Sequence, residues 1–235
     1  MKDLTAIVAT VAVSLTLAGC HTETKTEVKT STSTSTSTST STATSSAPAT
    51  SSTPGAQANK TIADYIVENH ITETPVHPGD PGSPTINLPT PNGWQLLPPG
   101  GAPYWGISYG QPADPADPPT LAALVSKLTG NADPNKILEY APGELKNLPE
   151  FEGGSANGKE STLGVPPGKS FKAWQFGGSY TKNGKKRTVA QKTVVIPAAD
   201  GLYVLQINAD ALDDEAGQLM DATGVIDDQT TITTP

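Results

Sequence analysis

The chain has 235 residues and a formal net charge of −8, with 22 glycines, 22 prolines, three tryptophans and a single cysteine. An acidic balance of this size excludes the basic face that nucleic-acid binding needs, and it disfavours adsorption to anionic lipid headgroups. A lone thiol excludes an intrachain disulfide, so any folded part must stand on its own core.

Leu4 to Ala18 is an uncharged run behind Lys2 and Asp3. It has about the length of one signal-peptide apolar region and is too short for a mature transmembrane helix. It closes in Leu17-Ala18-Gly19-Cys20, the form of a bacterial lipobox. This predicts a lipoprotein signal peptide over 1–19 and a diacylglyceryl membrane anchor on Cys20; an ordinary signal peptide with a cysteine nearby is the plainer alternative. One acyl chain holds a protein to a membrane only marginally, and a lipoprotein cysteine carries more than one. Residues 20–59 contain almost nothing apolar, and Thr30 to Thr42 alternate strictly between Thr and Ser. Such a segment cannot bury enough surface to offset its ordering entropy. It reads as a disordered tether with a reach on the order of 35 Å, in a composition that also suits an O-glycosylated stalk. The expected location is the outer face of the plasma membrane, within the cell envelope.

Residues 60–235 have the length of one globular domain. Thr61 to Asp64 reads as a capping box, with Ile62, Tyr65 and Ile66 at helical spacing as far as about Asn69. A proline-rich stretch follows, then short strands over Thr85–Leu88, Trp94–Leu97 and Tyr104–Tyr109. Asp117-Pro118 reads as the start of a helix with a buried stripe of Leu121, Leu124, Val125 and Leu128, ended by Gly130. Asp133-Pro134 opens another helix, facing Ile137, Leu138 and Ala141 inward, and Glu144 to Leu148 continues as a helical turn. Lys172–Tyr180 alternates as a strand with Trp174, Phe176 and Tyr180 on one face. Asn183-Gly184 predicts a hairpin into Thr188–Ile196, with the basic residues Lys182, Lys185, Lys186 and Arg187 at a solvated tip. Asp200-Gly201 turns the chain into a central strand over Leu202–Asn208. A last helix over Asp213–Asp227 is expected to bury Ala216, Leu219, Met220, Thr223 and Ile226. The class is α+β: a central antiparallel sheet flanked by helices on both faces.

Catalytic motifs fare poorly in their contexts. Gly106-Ile107-Ser108-Tyr109-Gly110 fits the G-x-S-x-G of esterases, but prolines follow where a helix is required, and His21, His70 and His77 all precede Ser108. Ser179 to Lys182 fits S-x-x-K without its partner motifs. Gly153–Lys159 and Gly164–Ser170 approximate phosphate loops, the first with Glu160 in place of Ser/Thr and the second one residue short. His70, His77 and Asp80 match no standard zinc spacing. No catalytic residue, metal or cofactor is assigned. Binding remains. Trp94, Tyr104, Trp105, Tyr109, Trp174 and Phe176 are the candidate ligand-binding residues, because aromatic rings stack on sugars and pack against acyl chains. Trp105 beside Tyr104 stands out, since adjacent strand residues point to opposite faces.

The stretches TIADYIVENHITETPVHPGDPGSPTINLPTPNGW, LTGNADPNKILEYAPGELKNLPEF, VAQKTVVIPAADGLYVLQINAD and DATGVIDDQTTIT resemble the LpqN/LpqT family of mycobacterial lipoproteins. The resemblance runs over nearly all of 60–233 and is weakest over Phe151–Gly168. It implies a Mog1/PsbP-like α/β/α sandwich and a non-catalytic envelope lipoprotein. The partners it implies are a trehalose-type glycolipid of the mycolate-precursor kind, an MmpL-class transporter or a mycolyltransferase. Two other readings stand beside this one: a protein-interaction scaffold or surface adhesin without a small-molecule site, and an exported esterase.

Overall fold

In the computed structural model the described residues are 59–98, 104–155 and 157–235. The lipobox with Cys20 and the Ser/Thr tether lie outside them. Helix α1 (Ile62–Glu68) starts at the expected capping box. The Thr61 hydroxyl accepts the Asp64 N–H at 3.2 Å, and the Asp64 carboxylate accepts the Thr61 N–H at 2.8 Å. Ile62, Tyr65 and Ile66 are buried at helical spacing. Four short strands follow: β1 (Thr72–Pro75), β2 (Thr85–Asn87), β3 (Trp94–Leu96) and β4 (Trp105–Tyr109).

The expected helix after Asp117 is instead the strand β5 (Thr120–Thr129). Leu121, Ala123 and Val125 alternate inward, Leu128 is buried on the opposite face, and Leu124 is 40% exposed. The spacing of Leu121, Leu124, Val125 and Leu128 fits a helix, but Leu121, Ala123 and Val125 also hold a period of two. The deciding factor is long-range: β5 pairs with both β4 and the central strand, as tertiary pairing overrides local preference.

Asp133 then caps α2 (Pro134–Tyr140), accepting the Asn135 N–H at 2.8 Å, with Pro134 in the first turn. α3 (Gly143–Lys146) follows. The strands β6 (Glu152–Gly153) and β7 (Lys159–Leu163), absent from the sequence reading, add to the edge of β8 (Phe171–Lys182). Asn183 (φ 53°) and Gly184 (φ 72°) make the predicted hairpin turn into β9 (Lys185–Ala198). Asp200 and Gly201 lead into β10 (Gly201–Leu212), which lies between β5 and β9. A 3₁₀ turn (Asp213–Glu215) precedes α4 (Ala216–Gln229), and β11 (Thr231–Thr233) pairs with β2 in a small second sheet.

The class is α+β, with one nine-stranded antiparallel sheet ordered β3-β4-β5-β10-β9-β8-β6; β1 pairs with β5, and β7 with β8. Along β10, Tyr203, Leu205, Ile207, Ala209 and Ala211 pack in one cluster with Leu219, Ala222 and Ile226 of α4. Leu202 and Val204, which point the other way, pack with Ile62, Tyr65 and Ile66 of α1 and Ile137 of α2. Met220 and Arg187 depart from expectation. Met220 is 51% exposed because α4 buries Leu219, Ala222 and Ile226 instead. Arg187 belongs to no solvated tip: it is 4% exposed and donates to Asp117 and Asp210, each at 2.6 Å. Tyr180 donates to the same Asp210 at 2.5 Å; burial first, and that carboxylate second, push its phenol well above the ordinary tyrosine range. The group ties the long β4–β5 connection across the end of the sheet.

Candidate functional site

Trp174 lies in β8 opposite Thr193 and Glu160. It is half-buried, and its indole N–H donates to the Asn157 carbonyl at 2.6 Å. The ring forms one wall of an open cleft of about 520 Å³, bounded by Tyr140 at the end of α2, Lys146 of α3, Asn157, Glu139 and Lys60. The Lys60 ammonium stands 4.8 Å from the centre of the Tyr140 ring and pairs with Glu68. The hydrogen bond from Lys60 to Glu68 raises the lysine pKa, so this group is a fixed cation at neutral pH. Lys146 donates to Asn157 Oδ1 at 2.5 Å.

The local chain path explains why these groups meet. Asn59 is clamped to Asn147: its N–H donates to Asn147 Oδ1 at 2.8 Å, and the Asn147 amide returns a bond to the Asn59 carbonyl at 2.8 Å. Gly143 lets this segment lie directly on α3, since a Cβ there would come within 2.1 Å of the Lys60 carbonyl oxygen. The result is two aromatic faces with amides, two ammonium groups and a carboxylate around them. Aromatic faces accept the C–H faces of a pyranose, and the polar groups supply donors and acceptors for its hydroxyls.

The other aromatic candidates are placed elsewhere. Trp94 is buried, with its ring centre 5.7 Å from that of Tyr109, at the β3–β4 end of the sheet. Tyr104 is also buried, and burial raises its phenol pKa. It precedes the first residue of β4, so strand alternation does not set it opposite Trp105, and both rings pack against the same core cluster. Phe176 is buried against Leu145, Tyr180 and Val189, 5.4 Å from the Phe151 ring. Trp94, Trp105 and Tyr109 thus sit on β3 and β4, far in strand order from Trp174 and Phe176 on β8. Tyr140, Lys60, Lys146 and Asn157 were not singled out in the sequence. Tyr140 ends a short helix and reads there as a helix residue, while Lys60, Asn157 and Trp174 come from three other segments of the chain.

Ser108 sits inside β4, paired with Gln95 and Thr120, so it lacks the strand–turn–helix geometry of a nucleophile elbow. Ser179–Lys182 is the end of β8. In Gly164–Ser170 the loop N–H groups are spent on the protein itself: Val165 donates to the Thr230 carbonyl at 2.9 Å and Lys169 to the Ile232 carbonyl at 2.8 Å. The Asp80 carboxylate accepts the His77 backbone N–H at 2.7 Å. Among the described residues no group of three or more His, Cys, Asp or Glu is placed to hold a metal ion. Nor, among them, is any helix long and apolar enough to cross a membrane.

The cleft is built from segments spread along the domain, so comparison over the whole length is the relevant one. The family model described as probable lipoprotein LpqN (Lpp-LpqN) matches residues 58–233. The chain belongs to the Lpp-LpqN family. It is 64% identical to Lipoprotein LpqN of Mycobacterium tuberculosis over 234 residues, which is 99% of this chain and 100% of that one. A crystal structure of LpqN, described as involved in cell envelope biogenesis of M. tuberculosis, matches with a TM-score of 0.71 at 66% identity. That match covers 75% of this chain and 99% of the solved one. A family domain about three-quarters the length of the present chain therefore stands alone as a folded protein.

Proposed function

We propose that this protein is a lipid-anchored, non-catalytic binding module of the cell envelope that holds the head of a trehalose-type glycolipid in the Trp174–Tyr140 cleft. The observation that carries the reading is the pairing of two half-buried aromatic rings, Trp174 and Tyr140, with Lys60, Lys146, Asn157 and Glu139 around one open cleft. Kinship with a protein described as involved in cell envelope biogenesis supports the setting. The diacylglyceryl group on Cys20 anchors the chain at the outer face of the plasma membrane, and residues 20–59 give the domain its reach. Packing of α1 and α2 against one side of β10 and α4 against the other suits a Mog1/PsbP-like sandwich. An MmpL-class transporter or a mycolyltransferase is the partner with which such a module would exchange its ligand. No covalent step is required, and recognition rests on stacking and hydrogen bonds.

Titration of residues 56–235 with trehalose monomycolate or a short-chain analogue tests this. Saturable calorimetric binding with a negative heat-capacity change, abolished by Trp174→Ala, is the expected result. No heat with any trehalose ester would overturn the reading. A second reading, a protein-interaction scaffold, draws on Leu96, Leu97 and Leu124, which are 64%, 39% and 40% exposed near the β3–β5 end of the sheet. Specific crosslinks from this patch to envelope proteins, in the absence of glycolipid binding, would favour it. Turnover of a chromogenic ester lost on Ser108→Ala would favour an esterase instead.

A further inference from the structure

Three Asn-Gly steps occur in the domain: Asn92-Gly93, Asn157-Gly158 and Asn183-Gly184. Such a step is open to one intramolecular reaction, because the glycine nitrogen reaches the preceding asparagine carbonyl carbon with no side chain of its own in the way. The first and third steps lie in exposed turns. The second is held differently. Asn157 Oδ1 accepts from the Lys146 ammonium at 2.5 Å, and among the described residues it alone of the three asparagines has its side-chain oxygen on a cation. The Gly158 N–H donates to Ser155 Oγ at 3.0 Å. The Asn157 backbone carbonyl is fixed from the other side by the Trp174 indole N–H at 2.6 Å. Glycine at 158 is required by the fold itself: its φ is 83°, and a Cβ would come within 2.5 Å of the Gln175 carbonyl oxygen. The packing thus sets a nucleophile with its proton on a hydroxyl oxygen beside an electrophile whose oxygen is already on an ammonium. A fixed donor of this kind stabilises the charge that develops on a carbonyl oxygen under attack.

We propose that Asn157 is a site of self-modification by deamidation, in which the Gly158 nitrogen attacks Asn157 Cγ and Lys146 stabilises the oxyanion. The proton on the Gly158 nitrogen leaves by way of Ser155 Oγ to solvent. A C–N bond forms and closes a succinimide ring, the Cγ–Nδ2 bond breaks, and ammonia departs with a proton returned from solvent. Water then opens the ring to aspartate or isoaspartate. The product replaces a neutral amide by a carboxylate against Lys146, and isoaspartate also lengthens the main chain beside the carbonyl that holds Trp174. The cleft therefore changes charge and shape with the age of the protein. The chemistry does not depend on what the cleft binds.

The test incubates residues 56–235 in mildly alkaline buffer, samples them over time and digests each sample with pepsin in acid, where the reaction is slow. Mass spectrometry then reads the exchange of NH2 for OH at each asparagine separately. Asn157 should convert at least about tenfold faster than Asn92 and Asn183. In urea the three rates should converge, because each step is then only a dipeptide in an open chain. Lys146→Met should bring Asn157 down to the rate of the other two, whereas Lys146→Arg should keep its lead, since a guanidinium also donates. The thermal midpoint of each variant shows that it is folded at the incubation temperature, which separates loss of the donor from loss of the fold. Conversion of Asn157 no faster than Asn92 or Asn183 in the folded protein would overturn the proposal. A lead that persists in urea, or that survives Lys146→Met, would overturn it as well.

Discussion

At the scale of single residues, two positions carry more than their size. Gly143 is one. A methyl group there meets backbone, not a movable side-chain tip, at 2.1 Å from the Lys60 carbonyl oxygen. Gly143→Ala should cost on the order of 2 kcal/mol in chemical denaturation and loosen the Trp174 cleft, because the Asn59–Asn147 clamp shifts with it. Arg187 is the other. It is enclosed, and Asp117 and Asp210 balance it from two different segments. Arg187→Met should cost roughly 3 kcal/mol, since it leaves two carboxylates without their cation, and Arg187→Lys should restore only part, because an ammonium cannot make the same forked contacts. Denaturation midpoints of the three proteins test this. The sequence could not place Arg187 correctly. It stands beside Lys185 and Lys186 next to a hairpin turn, and only the packing of β9 against β10 brings Asp210 within reach.

At the scale of elements, the legible parts were those with local chemistry. The Thr61 capping box, Asp133-Pro134 and Asn183-Gly184 each name their element from a few adjacent residues. The same holds for β10, whose apolar residues on both faces announced a covered central strand. β5 was not legible, because Asp117-Pro118 imitates a helix start and its apolar residues satisfy both periods. β6 and β7 were missed for a different reason: they are short, polar on their outer face, and exist only as additions to the edge of β8. Helix α4 is marginal in its own right, with Gly217 and Gly224 and a short buried stripe. A Cβ at Gly224 meets nothing within 4 Å. Gly224→Ala should therefore stabilise the domain by about 0.5–1 kcal/mol, seen as a raised thermal midpoint.

At the scale of the whole molecule, stability and binding separate by pH and by place. The carboxylates of Asp64, Asp114 and Asp200 are held below the ordinary range, by the Thr61 N–H, the Ala116 N–H and the Lys127 ammonium respectively. Each is more acidic folded than unfolded. Their contribution is complete above the unfolded value of 3.8 and is lost as pH falls through the lower folded values. The thermal midpoint should be level above about pH 5 and drop below about pH 4, with a shallower drop in Asp64→Asn. The candidate site was less legible than the fold. Trp174 was named among the aromatics, but its partners Tyr140, Lys60, Lys146 and Asn157 come together only when α2, α3 and the β6–β7 turn close over β8. Most of the other named rings serve the interior. Trp174 therefore bears the central claim, and the direct measurement is calorimetric titration of residues 56–235 and of Trp174→Ala with a short-chain trehalose ester. Saturable binding by the first and none by the second, with the Trp174→Ala protein showing a lowered thermal midpoint but still folded at the titration temperature, is the predicted result. Equal binding by both proteins, or by neither, would contradict it.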